Sequence, residues 1–411
     1  MRFAADLHLH SRYAGGVSPA MTLENIALWA QRKGVDLLAT GDCLQADWLH
    51  EIETKLTPAE PGFFALRPDI ESALHEKLPA HLHRPLRFVL STEVNCAPPG
   101  TRSLGGIHHL LYFPSLETIH TFREKLLPFG HFQEGRPDLA LNSRQLLELV
   151  LAHDPACHLA PAHVFNPWFS ALGTVGGGRT LDAVFGDLTP HLLAAETGLT
   201  STPPMCRRIV SLDRLALFSC SDAHSLDNIG REFTLLDIEP SYNALFAALR
   251  SGSPKHILGT RKFPLHRTRY FLNWCGQCQD NFDARTCPKC RRPLVDGSRD
   301  RLEKIADRSS PLFPAFTPPF QELLPLATLI AHLNHRKPDS DIVTTLSRQL
   351  IDTVGHERFL LTEATADDIN RAGIPQIATA ILAQRAQPST YFARPTREPP
   401  GPPTQQFSLP L

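Results

Sequence analysis

Four apolar runs of this chain end in histidines or carboxylates: Asp6-Leu7-His8-Leu9-His10, Thr40-Gly41-Asp42, Ser91-Thr92-Glu93 and Ser221-Asp222-Ala223-His224. Side chains alternate along a strand, so His8 and His10 emerge from one face while Leu7 and Leu9 point the other way. Asp222 and His224 repeat that spacing. Asp42 and Glu93 each follow a strand-like run, as does His163 in Pro161-Ala162-His163-Val164-Phe165. His108 sits in the run over residues 106–113; its neighbour His109 is an alternative, since only one of two adjacent strand residues faces inward. Such groups meet when parallel strands carry them to a common C-terminal rim.

The spacing predicts strands over residues 2–7, 35–40, 87–92, 106–113, 158–164, 192–197 and 215–220. Helices are expected from the Thr22 cap to Gly34, from Ser115 to 127, over 142–152, and over 242–250 closed by Gly252. Repeated alternation argues for parallel α/β, and about seven such units favour a barrel over an open sheet. Residues 320–333, 340–354, 366–371 and 375–385 carry apolar residues at helical spacing. From Ala386 the chain turns proline-rich, the composition of an extended spacer. The expected organisation is a barrel over 1–255, a basic cysteine module over 256–298, a helical domain over 299–387 and a tail over 388–411.

Imidazole with carboxylate suits zinc, manganese or iron, and a bridging carboxylate lets two ions sit roughly 3.5–4 Å apart. His8, His10, Asp42, Glu93, His108, His163, Asp222 and His224 are the candidate ligands. Cys275-Gly-Gln-Cys278 and Cys287-Pro-Lys-Cys290 supply four thiolates, which close a tetrahedral shell and so predict one structural zinc. The other five of the nine cysteines are scattered and expected to be small buried residues.

A net charge of −1 hides an uneven distribution. Residues 250–308 hold 14 Lys/Arg against 6 Asp/Glu, a local +8 that leaves −9 elsewhere. Arg261, Lys262, Arg267 and Arg269 precede the knuckle, and Lys289, Arg291 and Arg292 lie at its tip, which predicts salt-dependent contact with nucleic-acid phosphates. Trp274 and Phe282 are expected to pack the knuckle. No 18-residue apolar run occurs and the N-terminus is no signal peptide, so a cytoplasmic, nucleoid-associated protein without a membrane partner is expected.

The run Asp6–Ser11, the Asp42 and Glu93 segments, Ile107-His108, Pro161-Ala-His163 and Ser221-Asp222-Ala-His224-Ser resemble the polymerase and histidinol phosphatase (PHP) superfamily over about residues 1–255. That resemblance implies a distorted seven-stranded barrel with two or three divalent metals (zinc, manganese or magnesium) hydrolysing phosphoesters. Glu196-Thr-Gly-Leu, Pro204-Met205 and Ser219-Cys-Ser-Asp-Ala-His, followed by the knuckle and helices, are similar to the endonuclease Q family over about residues 1–385. It implies nicking of DNA 5′ to deaminated bases (hypoxanthine, uracil, xanthine) or abasic sites. Carried over, His8, His10, Glu93 and Asp222 hold a first ion, Glu93, His108 and His163 a second, and Asp42 with His224 a weaker third. His8, His10, Glu93, Asp222 and His224 are then the catalytic set. Gln45 stands where relatives carry a histidine, and Thr202 where they carry an acid.

The last six residues resemble the peptide by which bacterial proteins bind the sliding clamp: Gln406 for a pocket rim, Phe407, Leu409 and Leu411 for apolar pockets. A small-molecule phosphoesterase would need neither knuckle nor tail, and a non-catalytic DNA-binding scaffold would be free to lose the ligands.

Overall fold

The computed structural model describes residues 1–98, 105–314 and 317–386. The core is a mixed sheet whose strands are β1 (Arg2–Asp6), β2 (Leu37–Ala39), β3 (Leu56–Pro58), β4 (Phe64–Leu66), β5 (Arg87–Cys96), β6 (Ile107–Phe113), β7 (Asp138–Leu139) and β8 (His158–Pro161). It continues through β11 (Phe233–Asp237) and β12 (Ile257–Lys262), while β9 (Ala194–Glu196) and β10 (Ala216–Phe218) form a separate two-stranded sheet. A hairpin of β13 (Asn273–Cys275) and β14 (Asp280–Phe282) follows, then β15 (Phe320–Glu322). Every residue of β5 after Arg87 is buried, as for a strand covered on both faces.

Neighbours run β15-β12-β11-β1-β2-β5, and β5 continues to β6 and β8. β9 and β10 pair parallel with each other. Two backbone links join these parts: Val164 N–H donates to the Glu196 carbonyl (3.0 Å), and Asp222 N–H to that of His8 (2.9 Å). The uniformly parallel alternation expected from the sequence is corrected here. β1–β2 and β2–β5 are parallel, but β5–β6, β6–β8, β1–β11 and β11–β12 are antiparallel. Ten residues link β5 to β6, fewer than a parallel crossover needs.

The local signals behave as their chemistry dictates. Thr22 caps the helix Leu23–Lys33, and Gly34 ends it in the left-handed region at φ 76°. Asn142 and Gln145 form a capping box at the start of Ser143–His153. The sheet nevertheless crosses the boundary expected at residue 255: β12 pairs with β11, and β15 adds to β12 in parallel. The helix expected over 320–333 therefore begins as a strand and becomes helical only at Leu326, after Pro325.

Short helices over residues 326–386 form the C-terminal part, with a buried Lys33–Glu357 ion pair (2.7 Å) fixing it to the first helix. Cys43, Cys96, Cys157, Cys206 and Cys220 are all buried. No helix among the described residues is long and apolar enough to cross a membrane.

Candidate metal centre

Beyond Asp6 the first strand runs on beside residues 222–223, where Leu9 bridges Ala223 and His10 N–H donates to the Ala223 carbonyl (3.1 Å). This pairing sets the His8/His10 face against Asp222. Asp42, His163 and Asp222 adopt φ of 49°, 28° and 48°, a region L-residues seldom enter. Strain of this kind clusters where structure must aim a side chain. Gly41 makes one approach possible: a Cβ there would lie 2.2 Å from the Leu9 carbonyl oxygen. Gly198 serves His163 likewise, since its Cβ would sit 2.3 Å from that of His163.

Two groups of donors result: His8, His10 and Asp222, and Glu93, His108 and His163. Glu93 lies between them. Its Oε1 is 2.9 Å from His108 Nδ1, 3.0 Å from His163 Nε2 and 3.6 Å from His8 Nε2. Its Oε2 is 3.3 Å from His10 Nε2. Asp222 Oδ1 stands 3.5 Å and 3.3 Å from the Nε2 atoms of His8 and His10. His8 Nε2, His10 Nε2, His108 Nδ1 and Asp222 Oδ1 are nevertheless buried without a hydrogen-bond partner among the described residues. Lone-pair atoms that converge without bonding one another fit divalent cations between them.

The opposite ring nitrogens are held. His8 Nδ1 meets Glu196 Oε2 at 3.0 Å, and His10 Nδ1 meets Asp42 Oδ1 at 3.0 Å. A carboxylate behind each imidazole fixes its tautomer and raises its basicity toward a metal. Glu196 Oε2 also accepts from His163 N–H (2.8 Å), so one carboxylate ties both groups together. Sequence reading used Glu196 only as part of a family motif; its end-of-strand carboxylate was the available signal.

Electrostatics agree with this arrangement. Burial opposes protonation of His8, but Glu196, Asp222 and Glu93 outweigh it and raise its pKa well above the ordinary value. His10 is raised well too, against burial, chiefly by Asp42. Burial brings His108 down to about 4. Burial also works against ionisation of Glu93, yet His108 and His8 hold it well below the usual carboxylate range.

Asp42 does not join either donor group. Its Oδ1 faces His10, and its Oδ2 accepts from Ser11 N–H (2.6 Å) and the Ser11 hydroxyl (2.7 Å), which places it behind the His10 ring. His224 is also outside both groups; its Nδ1 donates to the Asp222 carbonyl (2.9 Å) and its ring packs on His10. Gln45 is turned away from the site to cap the helix Ala46–Lys55 through Trp48 N–H (2.6 Å). His109 faces the opposite side, toward Ser143 Oγ (2.8 Å).

Cys275, Cys278, Cys287 and Cys290 converge as a third group. Sγ atoms of Cys275 and Cys290 are 3.5 Å apart, those of Cys278 and Cys287 3.7 Å. Gln279 (φ 53°) and Arg291 (φ 63°) take left-handed conformations just after each pair and turn the chain back. Burial raises the Cys287 thiol, but N–H groups of Cys290 and Lys289 bring it down to about 6, favouring a thiolate. Trp274 is buried, as expected for packing.

Of the basic residues predicted to meet DNA, Arg267, Arg269, Lys289, Arg291 and Arg292 are exposed and Arg261 is half-buried. Lys262 is corrected: it is fully buried, paired with Glu232 and donating to Thr197 Oγ1 (3.0 Å) and the Gly198 carbonyl. Its place on β12, paired between β11 and β15, turns it inward. Gln406, Phe407, Leu409 and Leu411 lie outside the described residues.

The donor groups fit the class of metal-dependent hydrolases. The chain is similar over nearly its whole length to endonuclease Q. The crystal structure of the lesion-specific endonuclease PfuEndoQ from Pyrococcus furiosus matches with a TM-score of 0.79 and 28% identity, covering 94% of this chain and 91% of that one. An endonuclease Q complex with a 27-mer duplex carrying an abasic lesion at the active site matches at 0.80 and 28%, covering 94% and 92%. An uncharacterized protein of Methanocaldococcus jannaschii is 28% identical over 184 residues, 44% of this chain; the chain spans only 19% of that relative's length. The uncharacterized protein YqxK of Bacillus subtilis is 24% identical over 402 residues, 93% of this chain and 94% of its own. No family model matches.

Proposed function

We propose that this chain is a metal-dependent DNA repair endonuclease that nicks the phosphodiester 5′ to deaminated bases (hypoxanthine, uracil, xanthine) or abasic sites. What carries the reading is Glu93, with one oxygen turned to each donor group, in a chain similar end to end to an enzyme seen with an abasic duplex at its active site. His8, His10 and Asp222 would hold one divalent cation and His108 with His163 a second, Glu93 bridging. Divalent cations bound there supply a more acidic water and charge neutralisation at the phosphate. Asp42 and Glu196 keep the Nε2 atoms of His10 and His8 directed at the site. Two cations are preferred to three, because Asp42 is committed to His10 and Ser11 and Gln45 to its helix. Imidazole-rich donors favour zinc or manganese over magnesium, and the thiol quartet a structural zinc.

The finer architectural reading, a distorted seven-stranded barrel, rests on the backbone links joining residues 222–223 to β1 and Val164 to β9. Exposed Arg267, Arg269, Lys289, Arg291 and Arg292 would grip phosphates, and Gln406, Phe407, Leu409 and Leu411 would tether the enzyme to a sliding clamp. Deleting residues 404–411 should abolish co-migration with the clamp; unchanged co-migration removes that part of the reading.

The test is an end-labelled panel of duplexes with uracil, hypoxanthine, an abasic site or normal bases, assayed with zinc, manganese or magnesium. Nicks are expected only on the 5′ side of lesions and only with metal. Equal cleavage of undamaged duplex, or cleavage of phosphomonoesters alone, would overturn it.

A further inference from the structure

Arg136 belongs to no element that the sequence marked as functional, yet it reaches the centre of the site. It lies just before β7, and its backbone is pinned on both sides. Gly135 N–H donates to the Tyr13 carbonyl (2.9 Å), and the Pro137 carbonyl accepts from Asn95 N–H (3.0 Å). Gly135 must be glycine here, because a Cβ would lie 2.5 Å from the carboxylate of Asp42. The segment is thus pressed against both the His10 partner and the strand that carries Glu93.

From that anchor the guanidinium comes 3.3 Å from Glu93 Oε2, the same oxygen that faces His10 Nε2. Its side chain is 27% exposed while Glu93 is 1% exposed, so Arg136 stands at the mouth of the site and Glu93 beneath it. A guanidinium carries five N–H donors. Among the described residues Arg136 uses one, toward Glu93. The neighbouring cations are committed elsewhere: Arg231 to the carbonyls of Ser221 and Asp222, Lys262 to Glu232. Beyond that contact, the other N–H donors of the Arg136 fork have no partner among the described residues and are available to an anion at the site.

We propose that Arg136 is a catalytic residue that binds a non-bridging oxygen of the scissile phosphate and stabilises the charge gathering there during hydrolysis. This rests on the phosphodiesterase reading above. The residue transfers no proton and forms no bond; it stays a guanidinium throughout. Planar, bidentate recognition of phosphate is what separates arginine from lysine.

Arg136→Gln and Arg136→Lys, each loaded with metal, test this. Arg136→Gln should keep the wild-type metal content by elemental analysis. Its kcat should fall about 100-fold with little change in KM, the loss typical of one preorganised transition-state donor. Arg136→Lys should recover only part of the rate. Inorganic phosphate, titrated calorimetrically into the loaded protein, should bind about tenfold more weakly to Arg136→Gln. Wild-type phosphate affinity, or loss of metal from both variants, overturns the proposal, the latter making Arg136 a support for Glu93. The rates are read on the abasic duplex and on bis(p-nitrophenyl) phosphate. If the wild type cleaves only the aryl diester and Arg136→Gln slows it, the lesion reading falls while this one stands.

Discussion

Cys275, Cys278, Cys287 and Cys290 lie within 16 consecutive residues, whereas His8 and Asp222 are 214 positions apart. The knuckle assembles its donors through two tight turns, and the N–H groups of Cys278 and Cys290 point at Cys275 Sγ and Cys287 Sγ from within each turn. The larger centre instead needs β1, β5, β6 and the segments after β8 and β10 folded before its two donor groups are complete. One site can form locally; the other is a product of the whole sheet. The difference also reaches their surroundings. The knuckle is fringed by exposed arginines, while His8 and His10 of the larger centre are backed by buried Glu196 and Asp42.

The sharpest way to break this contrast is to remove one donor from each site. His8→Ala or Asp222→Ala should lower nicking at least about 1000-fold with duplex binding retained, because several kcal/mol of charge stabilisation go with the cation. Cys287→Ser should instead cost the structural zinc and duplex affinity while the phosphate titration of the other site persists. Elemental analysis with gel-shift and nicking assays reads both, and loss of all metals from the Cys287 variant would mean that the two regions are not independent.

Lys262→Met comes next. It leaves Glu232 buried and unpaired, and one broken buried pair costs about 3–5 kcal/mol of stability. Denaturant unfolding should register that loss, whereas the salt dependence of duplex binding should not change. A changed salt slope would return Lys262 to the DNA surface.

Glu196→Gln removes no donor from either group, yet it should weaken metal binding about 10–100-fold, the usual consequence of losing the group behind a ligating histidine. The pH dependence has a definite sign. In the metal-free protein His8 and His10 have raised pKa values, so protons compete for the metal positions. Affinity should fall as pH is lowered, roughly tenfold per unit for each proton displaced. Metal titrations at pH 6 and 8 check it; equal affinities would contradict the convergence of His8 and His10 on a cation.

The smallest effects belong to the knuckle surface. Arg291→Ala and Arg292→Ala should each weaken duplex binding a few-fold, equally for damaged and undamaged DNA. Each should also reduce the slope of log affinity against log salt by about 1.

Much of this was legible in the residues. The two Cys-X-X-Cys pairs marked the knuckle, and the two-residue spacing of His8 with His10 required a shared face. The resemblance to endonuclease Q, read from short motifs, is borne out by the whole-chain match to its crystal structures. Other residues stand where their sequence context alone does not put them, for definable reasons. Lys262 sits in a basic run, and charge alone does not reveal that β12 turns this side chain inward to Glu232. Asp42 ends an apolar run as a ligand would, but the chain turn at φ 49° aims it at His10 and Ser11. Residues 320–333 have helical spacing throughout, yet the first three find an open strand edge on β12.

The sequence by itself determined which chemistry is possible: imidazole, carboxylate and thiolate donors in numbers and spacings that few other uses explain. Tertiary structure alone decided which carboxylates stand among the donors and which stand behind an imidazole. Glu93, Asp42 and Glu196 are chemically near-equivalent side chains, the first within β5, the second after β2 and the third at the end of β9. Their roles separate only through a few ångströms of register and left-handed turns, and those are fixed by packing across the sheet.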